Sequence, residues 1–118
     1  MRTPELIFLS LFVSLPLQAA DTCTTIRGRA HLYCGDGQLR IWHVGTHHEY
    51  EPDESSRQRV EGWLEAGAKD TKDSACSPAS TVDLFADYLI CPVEPFKAGS
   101  VQQAKVISVQ HRRYVPAN

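Results

Sequence analysis

The chain predicts a mainly β domain: a small five-stranded barrel with one short helix between strands three and four. Three observations carry that expectation. Thr25 to Cys34 alternates apolar and polar residues with period two. Only Ser55 to Gly67 shows convincing helical spacing. Elsewhere, Gly- and Pro-containing breaks separate runs rich in β-branched and aromatic residues.

In the first strand, Ile26, Gly28, Ala30, Leu32 and Cys34 share one side, and Thr25, Arg27, Arg29, His31 and Tyr33 share the other. One face is therefore buried and one wet. Gly35-Asp36-Gly37 tolerates the positive φ of a tight hairpin. A second strand runs from Gln38 to about Val44, Gly45-Thr46 kinks the chain, and His48 to Glu51 forms a short third strand ending at Pro52.

Ser55 with Gln58 matches a capping box. Val60, Trp63 and Leu64 follow as one apolar stripe, and Gly67 is placed to stop the helix in a left-handed conformation. Gly62 weakens this helix by about 1 kcal/mol relative to alanine, so it depends on docking Trp63 into the core.

Ala68 to Ser80 reads as a surface loop, Val82 to Cys91 as the fourth strand and Pro92 to Gly99 as a turn region. Val101 to Tyr114 reads as a long last strand whose apolar phase slips between Val106 and Ile107, as a bulge would cause. Strand, strand, short strand, helix, strand, strand is the element order of the OB-fold. A generic small β-barrel or roll with one helix is the alternative.

Residues 1–20 read as a secretory signal: Arg2, an apolar run from Leu6 to Leu17 broken by Pro16, then Gln18-Ala19-Ala20, with cleavage after Ala19 or Ala20. The run is far short of the ~20 residues of a membrane span. Thr22 before Cys23 does not suit a lipid anchor. Residues 21–118 then form a single β-rich domain that reaches an oxidising compartment, in the periplasm or outside the cell.

The four cysteines sharpen the fold. Cys23 and Cys34 stand eleven steps apart on one expected strand. At ~3.3 Å per step they lie far beyond the ~5–6 Å between bridged Cα atoms. In an OB topology the first and fourth strands are antiparallel neighbours. That pairing brings Cys23 to Cys91 and Cys34 to Cys76. The cysteines lack the C-x-x-C spacing of a zinc site.

The net charge of −2 points to neither nucleic acid nor anionic membranes. It is unevenly spread: Glu49 to Asp73 is rich in acids, whereas Lys97, Lys105, Arg112 and Arg113 stand in a stretch without acids.

Two constellations bear on chemistry. His43, His47 and His48, followed by Glu49, are the densest group of potential metal ligands, suited to zinc or copper. Their spacing matches no established site, and a polar hairpin edge with local hydrogen bonds is the leading expectation. The second is the wet face of the first two strands: Arg27, Arg29, His31, Tyr33, Arg40 and Trp42. Cationic and aromatic groups on a curved sheet can grip an extended ligand, arginine taking phosphate or carboxylate while the rings stack; the ligand can equally be an oligosaccharide or a peptide segment. Edge protection by arginines and an inward Trp42 are the competing readings.

G-x-S-x-G, H-E-x-x-H and glycine-rich phosphate-loop motifs are absent. Asp83 and Asp87 alone do not argue a hydrolase. Cys34 near His31 is expected to be a disulfide rather than a thiol nucleophile.

Gly37-Gln38-Leu39-Arg40-Ile41-Trp42-His43-Val44-Gly45-Thr46 and Phe85-Ala86-Asp87-Tyr88-Leu89-Ile90-Cys91-Pro92 carry an R-I-W-x-x-G-T strand and a later F-A-D-x-x-x-C-P strand. In these the chain resembles a group of small exported uncharacterised bacterial proteins. The resemblance implies a bacterial periplasmic or secreted location and implies no activity.

The expectation is a monomeric, disulfide-bonded, non-catalytic binding or accessory module without cofactor or membrane anchor. Its partner is a ligand or an envelope protein, and nucleic acid is disfavoured. A metal-binding protein using His43, His47 and His48, or an inhibitor of a secreted hydrolase, are the alternatives.

Overall fold

The computed structural model describes residues 22–69 and 76–117, so the expected signal segment lies outside the described residues. Among the described residues there are five strands: β1 (Thr24–Leu32), β2 (Leu39–His43), β3 (Glu49–Pro52), β4 (Val82–Pro92) and β5 (Gln102–Pro116). The helix α1 (Glu54–Gly67) lies between β3 and β4. The strands close into a barrel in the order β1-β2-β3-β5-β4, with β1 and β4 antiparallel and β3 and β5 parallel. This is the expected small OB-like barrel.

The alternation of β1 sorts its side chains as anticipated. Ile26, Gly28, Ala30 and Leu32 face the interior, where they meet Leu39 and Ile41 of β2 and Leu84, Ala86, Tyr88 and Ile90 of β4. A Cβ on Gly28 would lie 2.8 Å from both Ile41 Cγ2 and Tyr88 Cδ2, so this glycine makes room for the Tyr88 ring. The buried Tyr88 hydroxyl donates to the Leu84 carbonyl at 2.7 Å. Among the described residues no buried side-chain polar atom lacks a partner. β1 ends at Leu32, and Cys34 belongs to an exposed turn rather than to the strand. Gly35 and Gly37 hold the expected positive φ there, at 108° and 71°.

The helix start departs from the expected Ser55–Gln58 box. Asp53 is the N-cap: its carboxylate accepts the Ser56 amide at 3.0 Å and the Ser55 hydroxyl at 2.8 Å. A carboxylate is a strong acceptor at the positive end of a helix, and Asp53 follows Pro52 in extended conformation. Val60 and Leu64 are fully buried, whereas Trp63 is half-buried at the flank with its ring 6.4 Å from that of Tyr88. Val60 and Leu64, not Trp63, anchor the helix in the core.

Side chains of α1 also complete β5. The β3–β5 ladder stops at Pro52 opposite Ala104. Beyond it, the buried Ser56 hydroxyl accepts the Val106 amide at 2.8 Å, and Arg59 donates to the Val106 carbonyl at 2.5 Å. Polar groups that a sixth strand would otherwise have to pair are thereby matched by the helix.

The helix end also differs from expectation. Gly67 is not left-handed, and the chain leaves through an extended Ala68. Gly67 is needed for space instead: a Cβ there would lie 2.0 Å from the Tyr114 ring. Pro78–Thr81, expected as loop, forms a 3₁₀ turn with Ala79 buried.

Both expected disulfides are present, Cys23–Cys91 and Cys34–Cys76. The β4–β5 register steps between Leu89 opposite Ser108 and Ile90 opposite Val106, leaving Ile107 as the bulged residue that the phase slip indicated. A second step, between Phe85 and Asp87, accompanies His111 at φ 55°.

Candidate functional site

The outer face of the barrel follows from the same alternation. Arg29 stands opposite Trp42 and His31 opposite Arg40 across the β1–β2 ladder, and Trp42 stands opposite Glu49 across β2–β3. On the other side, β1 lies against β4, where Arg27 meets Asp87 and Arg29 meets Phe85. Four strands thus place one row of polar and aromatic side chains on a common surface.

Part of that surface is a cleft of about 370 Å³ lined by Arg29, His31, Tyr33, Arg40, Trp42, Glu49 and Asp83. Its volume falls at the small end of the ~300–1,000 Å³ typical of ligand sites. Five of the six residues expected to form a binding surface line it. Arg27 shares their face but not the cleft. Its guanidinium donates to Asp87 at 3.4 Å and to the His111 carbonyl at 3.2 Å.

Asp83 organises one end. It is 2% exposed, and both carboxylate oxygens are engaged: Arg29 reaches one through two nitrogens, and His31 Nδ1 lies 2.6 Å from the other. Since a carboxylate can only accept, His31 carries a proton on Nδ1. Arg29 also sits over the Phe85 ring, 5.1 Å from its centroid. A buried carboxylate held by two donors is a framework for the cleft, because removing either donor leaves charge poorly compensated.

Arg40 is bound in turn to Glu51 at 2.7 Å, to the Leu39 carbonyl at 3.1 Å and to Gln38 at 2.8 Å. The Trp42 indole N–H donates to the Thr46 carbonyl at 2.6 Å, which fixes the ring on the outer face and excludes the inward alternative. Tyr33 is exposed and meets His31 edge-on, ring centroids 4.4 Å apart. The side chains of Tyr33 and Glu49 have no hydrogen-bond or ionic partner among the described residues.

Asp83, Glu49 and Glu51 were the residues least visible in the sequence. Asp83 and Asp87 fall in phase with Phe85 and out of phase with Leu84, Ala86 and Tyr88. With β1 and β4 antiparallel, that phase sets them against the arginine row. A second arrangement of the same type lies alongside, where Asp87 accepts from Arg27 and lies 2.7 Å from His111 Nδ1. The hydrogen bond with His111, supported by Arg27, holds the Asp87 carboxyl below its ordinary range.

Among the described residues His43, His47 and His48 do not form a group that could hold a metal ion. Gly45, at φ 87°, turns the chain between β2 and β3, and Thr46 bonds to the His43 carbonyl and the His48 amide. The His48 ring is engaged with Gln102 at 2.8 Å and stacked on Tyr50 with centroids 4.2 Å apart, while His47 is exposed. Among the described residues no three His, Cys, Asp or Glu side chains are grouped to hold a metal ion.

No family model, curated protein or solved structure matches the chain. Among the described residues no helix is long and apolar enough to cross a membrane.

Proposed function

We propose that this chain is an exported, non-catalytic binding module whose ligand site is the cleft formed by β1, β2, β3 and β4. The carrying observation is the convergence of Arg29, His31, Tyr33, Arg40 and Trp42 with Glu49 and Asp83 in one concavity. A surface that served only to block edge pairing would not need a buried Asp83 to orient Arg29 and His31. Export is supported by two disulfides, which persist in oxidising compartments. The barrel acts as a rigid frame and the cleft as the recognition surface, with no bond made or broken.

The test is recovery of ligand from a cell-envelope extract by the immobilised mature protein and by its Trp42→Ala/Glu49→Ala variant, after circular dichroism has shown both folded. The expected result is a bound species retained by the wild type and lost by the variant. Equal recovery by both proteins would remove the cleft from the proposal. Localisation is read separately: the chain is expected in the periplasmic or secreted fraction without free thiols.

A further inference from the structure

The charge balance of the cleft bears on which ligand it takes. Arg29 and Arg40 are already paired, with the buried Asp83 and with Glu51, so neither guanidinium stands free to clamp a phosphate. The lining itself holds two arginines against two carboxylates, Glu49 and Asp83. A polyanion would have to approach those carboxylates and draw Arg29 away from a buried one, which strongly opposes it. A peptide that docks by strand addition fares no better, because that mode needs an open sheet edge. Here the backbones of β1 and β2 are paired within the closed barrel.

What the cleft leaves unengaged suits a neutral, hydroxyl-rich ligand. Glu49 offers an acceptor without a partner among the described residues, Tyr33 is exposed, and Arg29 is one-third exposed beside its ion pair. The Trp42 edge is already bonded to Thr46, so the ring has its face to offer. Trp42 lies across from Arg29, and Tyr33 lies four residues further along the chain. Their backbone positions are therefore offset by roughly 13 Å along the direction of β1, more than one sugar ring spans.

We propose that the cleft binds a neutral oligosaccharide, its rings laid over Trp42 and Tyr33 and its hydroxyls bonded to Glu49 and Arg29. This rests on the binding role above and adds the ligand class. Sugar C–H faces pack on the aromatic rings, while the paired charges supply donors and acceptors without net attraction for ions.

Binding is followed by the Trp42 indole N–H resonance of the mature ¹⁵N-labelled protein, titrated with chitotetraose, cellotetraose, maltotetraose, heparin and a dT12 oligonucleotide. At least one neutral tetrasaccharide is expected to shift that resonance saturably. Its Kd should change less than about twofold between 50 and 500 mM NaCl, where a polyanion contact weakens by orders of magnitude. Glu49→Gln, which keeps the shape, is expected to weaken binding about tenfold. Silence of the resonance to all three neutral sugars overturns the ligand class. If heparin or dT12 then shifts it with steep salt dependence, the binding role survives with a different ligand. If no probe shifts it and the envelope extract gives no cleft-dependent ligand, both proposals fall.

Discussion

Asp53 shows how one carboxylate sets the behaviour of its surroundings. Burial alone would push its pKa up, but hydrogen bonds from the Ser56 and Ser55 side chains and the Ser56 amide outweigh that and hold it below its ordinary value of 3.8. A carboxyl with a depressed folded pKa contributes stability above its unfolded pKa and loses it as pH falls through the folded one. Urea unfolding should therefore show stability declining below about pH 4. Asp53→Asn keeps an acceptor at the N-cap, so it is expected to stay near wild-type stability at pH 7 while flattening part of the acid decline. Asp53→Ala should cost about 1 kcal/mol at neutral pH. An unaltered acid profile in Asp53→Asn would assign the decline to other carboxylates, Asp87 first among them.

At the scale of elements, α1 is held at both ends by β5. Ser56 and Arg59 pair Val106 near its start, and the Tyr114 hydroxyl donates to the Trp63 carbonyl at 2.7 Å near its end. Gly67 leaves the space in which the Tyr114 ring lies. Glycine-to-alanine in a helix ordinarily gains about 1 kcal/mol. Gly67→Ala is expected to destabilise instead, because its Cβ would displace the ring and break the bond to Trp63. Gly67→Ala combined with Tyr114→Ala should recover the helix-propensity gain over Tyr114→Ala alone, as urea midpoints would show. If Gly67→Ala alone stabilises the protein, the packing of Tyr114 on the helix is disproved. These helix ends also mark where the sequence was hard to read. Period-two alternation made β1 legible to within two residues, and the phase slip at Ile107 marked a bulge that exists. The caps were not legible. Asp53 and Ser55 both fit a capping role, and a glycine reserved for a tyrosine 47 residues downstream looks like any helix-ending glycine. In the cleft, the arginines and aromatics stood out as one row of β1 and β2. Their acidic partners come from β3 and β4, and only the barrel register assigns Asp83 to Arg29 and His31.

For the molecule as a whole, closure of the barrel places the two disulfides at different kinds of position. Cys23–Cys91 continues the β1–β4 ladder one step past Thr24 opposite Ile90, whereas Cys34–Cys76 ties the β1–β2 turn to the segment preceding the 3₁₀ turn. Their sequence separations of 68 and 42 differ too little to rank them by loop entropy. The chain-entropy relation puts the gap at only about 0.4 kcal/mol. Context separates them. The first bridge joins strands already held by the ladder, so its loss should leave the barrel register intact. The second is the one covalent hold among the described residues on the turn bordering the cleft at Tyr33. Replacing either pair by serine is expected to cost about 2–4 kcal/mol and to lower Tm by at least about 8 °C. Cys34→Ser/Cys76→Ser should also broaden the Tyr33 and His31 resonances and weaken any ligand of the cleft. Cys23→Ser/Cys91→Ser should lower Tm while leaving those resonances sharp. The reverse pattern would show that the open end of β1 and β4, not the turn, controls the order of the cleft.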